Sequence, residues 1–368
     1  MLLMLAACQP ALPGSRQNED VSLSGTIRVA LLGGNETKQA EPYRAGYKDH
    51  PIQDRMEAFM KLHPDVKIEV LDLMAGPGSP NLLTLDALLQ RAEELKPDII
   101  EMTPAEAWLL ARDQIVSLAD LIEEQADAWS GAYLRVIGQM AMNGEPYLLP
   151  VRSDPLLIYY DRTVLRKYGL EEPREGWTME EFAGLVRMLA DDGAQVLLTT
   201  ELETVQPFIE ALGGSFPAQH EPASGVLDSD ANAAALQWWL YAVPAAAMYN
   251  NPYLMEYDAP ALGMAWASRH YKAIRSADGE YAIAPLPSAA DGSRHNIALM
   301  TGLAVRKDSP RQELARELLR FIAGESGDEA MDFLADNTLQ QYRTGYRTDP
   351  VPGDAKLKQW LVREAPIA

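Results

Sequence analysis

The chain has few of the residues that build the commonest metal and redox centres. It holds one cysteine and five histidines in 368 residues, which excludes an internal disulfide and a multi-cysteine zinc or iron–sulfur site. The histidines do not occur at a metal-binding spacing such as HExxH, and no P-loop, Gly-x-Ser-x-Gly elbow or dinucleotide fingerprint is present. We therefore expect no cofactor, no metal ion and no catalytic centre.

Basic residues are also scarce relative to acidic ones. Lysine and arginine total 32 against 53 acidic residues, which gives a formal net charge of −21. This field would repel a phosphate backbone and no basic stripe offsets it, so a nucleic-acid partner is excluded. Residues 231–255 carry no charge, but their alanine, asparagine and proline content is typical of a buried helix and its exit rather than a membrane span.

The only cysteine, Cys8, follows seven apolar residues (MLLMLAA). An apolar run that ends in small residues predicts a signal peptide remnant at 1–7, although no lysine or arginine precedes it. The LAAC tetrapeptide that ends at Cys8 resembles a bacterial lipobox, and the polar, proline-bearing residues behind it suit a tether, placed at 8–24. We predict a lipid anchor on Cys8 at the extracytoplasmic face of the cell membrane; the alternative is a buried cysteine.

Strand and helix patterns alternate through the rest of the chain. Strands are predicted at 26–32, 66–70 and 98–102 with helices between them, and another strand at 156–160. Thr103 to Glu106 and Thr178 to Glu181 have the spacing of a capping box, Asp161 and the 228–230 segment offer further helix caps, Gly169 is expected to end a helix, and Ser309 to start one. This order is typical of an α/β fold in which helices flank each sheet, and 368 residues suit two lobes with a cleft between them. We place lobe 1 at 25–150 plus 297–337 and lobe 2 at 151–296 plus 338–368.

Several stretches carry a family resemblance in their order and spacing. They are GEPYLLP at 144–150, LIYYD at 157–161, WTMEEF at 177–182, PDII at 97–100 and YAIAPLP at 281–287. Together they resemble the extracellular solute-binding proteins of ABC transporters, the group of lipoproteins that includes maltodextrin and other sugar binders. The resemblance implies a two-lobed periplasmic-binding-protein-like fold of type II. It also implies capture of a small solute by lobe closure and an ABC permease as partner; we expect a monomer.

The candidate ligand-binding residues are those that combine aromatic or charged side chains with a position near the cleft. Trp266 ends a predicted strand and resembles the stacking residue of sugar-binding relatives, although a core role is equally compatible with its sequence. Glu36 and Glu106 lie at predicted strand ends of lobe 1, and Arg152 and Asp154 lie at the crossing between the lobes. Arg343 lies near the last expected crossing, and Tyr253 lies in an aromatic loop.

Three of these candidates have an alternative, purely structural explanation. Glu106 would then complete its capping box without touching ligand, and Arg152 and Asp154 would pair with each other across the hinge. For the solute, seven tryptophans and fifteen tyrosines favour a mono- or oligosaccharide, whose apolar faces need flat aromatic walls. The alternatives are a cationic solute such as a polyamine or peptide, a surface polysaccharide-degrading lipoprotein, and a lipoprotein that senses or scaffolds without transport.

Overall fold

The computed structural model describes residues 23–32, 51–73, 85–110, 113–199, 202–216, 224–244, 248–249, 260–267, 281–324, 326–343 and 354–367. The strands are β1 (Gly25–Leu31), β2 (Val66–Asp72), β3 (Ile99–Met102), β4 (Leu149–Asp161), β5 (Val196–Thr199), β6 (Met248–Tyr249), β7 (Leu262–Trp266), β8 (Tyr281–Ala284) and β9 (Ala298–Val305). The helices are α1 (Pro51–Leu62), α2 (Leu85–Leu95), α3 (Pro104–Leu110), α4 (Ala119–Gln125), α5 (Gly131–Gln139), α6 (Arg162–Tyr168), α7 (Met179–Asp191), α8 (Leu202–Ala211), α9 (Asp230–Ala242), α10 (Gln312–Ala323), α11 (Gly327–Arg343) and α12 (Asp354–Glu364).

The first sheet has the strand order β2-β1-β3-β9-β4. β1 runs parallel to β2 and β3, whereas β9 is antiparallel to β3 and β4. Alternate residues of β1 point to one face, where Ile27, Val29 and Leu31 are buried in a cluster with Phe59 of α1 and Leu318 of α10. The opposite face packs beneath α2 and α3. Helices therefore cover both faces, as the sequence predicted.

The second sheet has the order β8-β4-β7-β5-β6 and its own hydrophobic core. The buried face of α7 supplies Phe182, Val186 and Leu189 to that core. The ring of Phe182 stacks on Trp239 of α9, with 6.1 Å between ring centroids and an interplanar angle of 16°. Because each sheet has a separate apolar core, the structure agrees with the predicted two-lobed α/β architecture.

One strand, β4, belongs to both sheets. Its residues from Leu149 to Pro155 pair with β9, and from Leu156 onward the strand pairs with β7 on one side, while β8 pairs with it from Ile158 to Asp161. The neighbours thus change between Pro155 and Leu156, without a break in the strand. The two cores are joined through a continuous backbone.

Several predicted helix boundaries are confirmed in atomic detail. Thr178 and Glu181 form a capping box at the start of α7, and the carboxylate of Asp161 caps α6. Gly169 ends α6 in the left-handed conformation, at φ 67°, which glycine adopts without the steric cost of a Cβ. Ser229 caps α9. Short-range capping chemistry therefore specified these boundaries correctly.

Two predicted boundaries differ from the structure. The strand expected at 156–160 begins at Leu149, because Pro150 and Pro155 lie where β4 is an edge strand of the first sheet, a position that tolerates a missing N–H. Helix α10 begins at Gln312 rather than at Ser309, because the Ser309 hydroxyl donates to Asp98 at 2.7 Å and accepts from the Arg311 N–H at 3.0 Å.

The ring of Tyr159 on β4 lies against the backbone of Gly263 in β7, and a Cβ on Gly263 would be 2.3 Å from Tyr159 Cζ. We expect Gly263→Ala to lower the free energy of unfolding by about 1–3 kcal/mol through overpacking, as measured by urea denaturation. The control is Gly138→Ala in α5, where a Cβ would meet nothing within 4 Å and helix propensity favours alanine. Equal stabilities for the two variants would contradict this packing.

Candidate ligand-binding cleft

Helix α11 occupies the side of β4 that faces away from β9. Asn337 Nδ2 donates to the carbonyl oxygen of Val151 at 2.6 Å, and Thr338 Oγ1 accepts from the Ser153 N–H at 3.1 Å. Among the strands that the structure describes, none pairs with this edge of β4, and the two bonds satisfy its backbone groups instead. The crossing between the two sheets is therefore held by a strand on one side and by a helix on the other.

Four polar side chains lie beside this crossing, and we call them the polar row: Glu101, Thr301, Arg152 and Asp154. Glu101 is near the carboxyl end of β3, and Thr301 of β9 pairs with Arg152 of β4. Thr301 Oγ1 donates to Glu101 Oε1 at 2.6 Å, and the Leu32 N–H donates to Glu101 Oε2 at 2.9 Å. Asp154 lies on the same side of β4 as Arg152 because strand side chains alternate.

The polar row is largely withdrawn from solvent. Glu101, Thr301 and Asp154 are buried, whereas Arg152 is half-buried. Burial raises the pKa of the Glu101 carboxyl, while the charge of Arg152 and the hydrogen bonds from Thr301 and Leu32 oppose the rise. A buried carboxylate persists only where opposite charge and hydrogen bonds offset its lost hydration. Glu101, Thr301 and Arg152 are thus linked by hydrogen bonding and charge rather than being separate surface groups.

Trp266 lies near the crossing in the sheet register. It is the last residue of β7 and pairs with Leu156, two residues beyond Asp154 and four beyond Arg152 on the same side of β4. Its side chain is buried in the second-sheet cluster that contains Leu156, so a core role of Trp266 is present in the structure. Its stacking role stays a prediction.

Glu106 forms the capping box that its spacing predicted. Its Oε2 accepts from the Thr103 N–H at 2.7 Å, and Thr103 Oγ1 accepts from the Glu106 N–H at 3.3 Å. The charge of Glu106 also adds to the rise in the pKa of Glu101, so the two carboxylates are neighbours at the carboxyl end of β3. Its contact with ligand stays a prediction.

Three of the predicted functional residues lie outside the described residues: Cys8, Glu36 and Tyr253. Arg343 is the final residue of α11, and its side chain is likewise outside the description. Glu36 follows β1 along the chain, and Leu32 at the end of that strand reaches the polar row through its N–H. The roles predicted for these four residues stay predictions.

Sequence reasoning missed Glu101 and Thr301. A signal for Glu101 was available, since it is the only charged residue in β3, whose other residues are Ile99, Ile100 and Met102. A carboxylate inside a fully buried strand is costly and marks a special contact. Thr301 offered no such signal, because a threonine is ordinary in a strand. Only the register between β9 and β4 reveals its place beside Arg152.

The polar row offers guanidinium donors, carboxylate acceptors and a hydroxyl, and the register places the indole of Trp266 farther along the same strand. Groups of these types suit a small polar molecule with apolar faces. Within the described residues, no group of three or more His, Cys, Asp or Glu side chains could hold a metal ion. In the same part of the chain, no helix combines the length and apolar character needed to cross a bilayer.

Comparison with known families decides what kind of protein has this architecture. The family model described as bacterial extracellular solute-binding protein matches residues 45–329. The chain belongs to this family. This membership confirms the resemblance inferred from the sequence motifs, and it gives the solute-binding protein an extracytoplasmic location. No curated protein sequence matches it.

Solved structures share the fold of this solute-binding protein at low sequence identity. A sugar transporter protein from Rhizobium etli, in an open conformation, has a TM-score of 0.64 at 19% identity, covering 93% of this chain and 94% of its own. UgpB from Mycobacterium tuberculosis, bound to glycerophosphocholine, has a TM-score of 0.64 at 16% sequence identity, and the match covers 94% of this chain and 85% of UgpB. An ABC substrate-binding protein from Listeria monocytogenes, bound to cycloalternan, has a TM-score of 0.60 at 14% identity, and the match covers 93% of each chain.

Proposed function

We propose that this protein captures a mono- or oligosaccharide between its two lobes for an ABC importer, and that it makes and breaks no bond. The observation that carries the proposal is the sheet register at the crossing, which places Arg152 and Asp154 on one side of β4 and pairs Trp266 with Leu156, two residues beyond Asp154. An indole offers a sugar ring a flat apolar surface, while charged side chains accept and donate bonds to its hydroxyls. Two proteins of similar fold support the same class of solute. The Rhizobium etli protein is named a sugar transporter, and the Listeria monocytogenes protein is in complex with cycloalternan.

Closure of the lobes follows from the same arrangement. A solute that contacts both the polar row and the second-sheet side favours the closed over the open form by its difference in affinity for the two. We propose that a membrane permease recognises the closed form. The division into lobe 1 at 25–150 plus 297–337 and lobe 2 at 151–296 plus 338–368 is part of this proposal, and it is supported by the pairing of β9 with β3 in the first sheet.

A cationic solute is the second candidate. The polar row and Glu106 together hold three carboxylates and one guanidinium, and a relative of similar fold is bound to glycerophosphocholine, a molecule with a quaternary ammonium group. A cation held mainly by carboxylates would bind with an affinity that falls steeply with salt. A neutral sugar would bind almost independently of salt, so salt dependence separates the two candidates.

The solute class is tested by thermal denaturation of residues 9–368 with mono-, di- and oligosaccharides, polyamines, dipeptides and glycerophosphocholine. We expect at least one saccharide to raise the melting temperature, because a ligand at 100 times its dissociation constant adds about 2.7 kcal/mol to the free energy of unfolding. Calorimetry in low and high salt then measures the salt dependence. Stabilisation by the cationic compounds alone would overturn the sugar assignment, and release of free monosaccharide from a polymer would overturn the absence of catalysis.

The stacking role of Trp266 is tested by Trp266→Ala and Trp266→Phe. Alanine should weaken binding of the stabilising saccharide by about tenfold or more, whereas phenylalanine, which retains an aromatic face, should weaken it less. The control is Trp239→Phe, since Trp239 lies in the same core cluster beneath α7 and away from the polar row. If Trp266→Ala folds and binds with unchanged affinity, Trp266 is a core residue only.

We propose that Cys8 carries the lipid anchor. The test compares the full chain with Cys8→Ser in bacterial cells grown with a labelled fatty acid. The wild-type chain should carry the label and sediment with membranes, whereas Cys8→Ser should carry none, because an amide- and thioether-linked anchor requires that cysteine. The control is a second serine substitution in the tether, Ala11→Ser, which should leave the label in place. Membrane association without label would contradict lipidation at Cys8.

A further inference from the structure

Two buried carboxylates lie three residues apart at opposite ends of β3, and their surroundings match. Asp98, before the strand, accepts from the Arg28 N–H of β1 at 2.8 Å and from the Ser309 hydroxyl at 2.7 Å. Glu101 accepts from the Leu32 N–H that follows β1 and from the Thr301 hydroxyl of β9. Asp98 thus links β1 to the segment after β9, and Glu101 links the residue after β1 to β9 itself.

An arginine accompanies each carboxylate, but the two arginines face different parts of the protein. Arg311 Nη1 is 3.8 Å from Asp98 Oδ1 and lies ahead of α10, at the amino end of β3. Arg152 interacts electrostatically with Glu101 and pairs in register with Thr301, three residues before β4 crosses to the second sheet. Of the two carboxylates, only Glu101 is therefore linked through its arginine to the joint between the two sheets.

The arrangement around Glu101 exceeds what the sheet needs for stability. Its neighbours in β3 are apolar, and an apolar residue would fill that position without the cost of burying charge. The Thr301 hydroxyl and the Leu32 N–H hold both carboxylate oxygens, which fixes the negative charge beside Arg152. A guanidinium is a rigid planar fork of five N–H donors, so a carboxylate fixed beside it can set the orientation of the whole group.

We propose that Glu101 is a positioning residue for solute capture, which orients Arg152 at the cleft and acts on the solute only through Arg152. Glu101 itself is buried and does not touch the solute. Its two hydrogen-bond donors, Leu32 and Thr301, fix the carboxylate. Arg152 carries its effect to the solute. This inference rests on the proposed function, because it requires that Arg152 contacts the solute.

The first test follows the Arg152 side chain without any solute. In protein labelled with ¹⁵N at arginine, the Arg152 Nε–Hε resonance is assigned as the signal lost in Arg152→Lys. We expect Glu101→Gln to shift or broaden that resonance, and Asp98→Asn to leave it unchanged. Asp98→Asn is the matched control, since it removes the charge of a buried carboxylate with the same types of partner. An unmoved Arg152 resonance in a folded Glu101→Gln variant would overturn the proposal.

The second test is a double-mutant cycle measured by calorimetry, with maltose, raffinose and maltotriose as probes. Glu101→Gln should weaken binding by about tenfold, the loss of an interaction with a charged group. In the Arg152→Gln background the same change should have less than about a twofold effect, because the residue through which it acts is gone. An equal loss in both backgrounds would show that Glu101 acts independently of Arg152 and would overturn the proposal.

The two tests separate this inference from the proposed function. If the thermal denaturation screen finds no stabilising saccharide while the Arg152 resonance responds to Glu101→Gln and not to Asp98→Asn, the sugar assignment fails and the orienting contact stands. If sugar binds and Glu101→Gln changes neither its affinity nor the resonance, the proposed function stands and Glu101 is a structural residue like Asp98. Urea denaturation of each variant verifies that a loss of binding is not a loss of folding.

Discussion

The continuity of β4 is the constraint on which the rest of the structure depends. The strand pairs with β9 up to Pro155 and with β7 from Leu156, so its backbone passes from one hydrophobic core to the other without an intervening loop. A flexible connection would let the two cores separate in any direction. A hydrogen-bonded strand would restrict relative movement of the cores to bending and twisting around the crossing, and this restriction would serve the lobe closure that we propose. Polar side chains on this strand are attached to a backbone that both sheets share.

The carboxylate of Glu101 is buried near the point where β4 passes from one sheet to the other, and nearby groups offset the free-energy cost of burying it. Glu101 receives hydrogen bonds from Leu32 and Thr301 and lies near Arg152. β7, by contrast, follows the usual rule, since all five of its residues are both buried and apolar. A departure from the rule beside the joint of two sheets is the pattern expected where function, rather than packing, determines the residue.

Much of the fold could be predicted from the sequence because its signals are local. Capping at Thr103, Thr178 and Ser229 and the left-handed Gly169 depend on residues no more than four positions apart. The polar row depends instead on register between β3, β9 and β4, strands that are far apart in the chain. Arg152 and Asp154 were predicted because they precede an apolar strand, whereas Thr301 could not be found before its partner was known. Long-range pairing, and not composition, determines which candidates meet.

The contact between α11 and β4 has a consequence for how the protein avoids unwanted association. At the joint, the side chains of Asn337 and Thr338 bind backbone groups on the outer edge of β4. An open edge there would offer a second molecule a template for strand pairing. The two side chains occupy one C=O and one N–H of that edge. They therefore act against edge-to-edge aggregation at the crossing, in addition to holding α11 against β4.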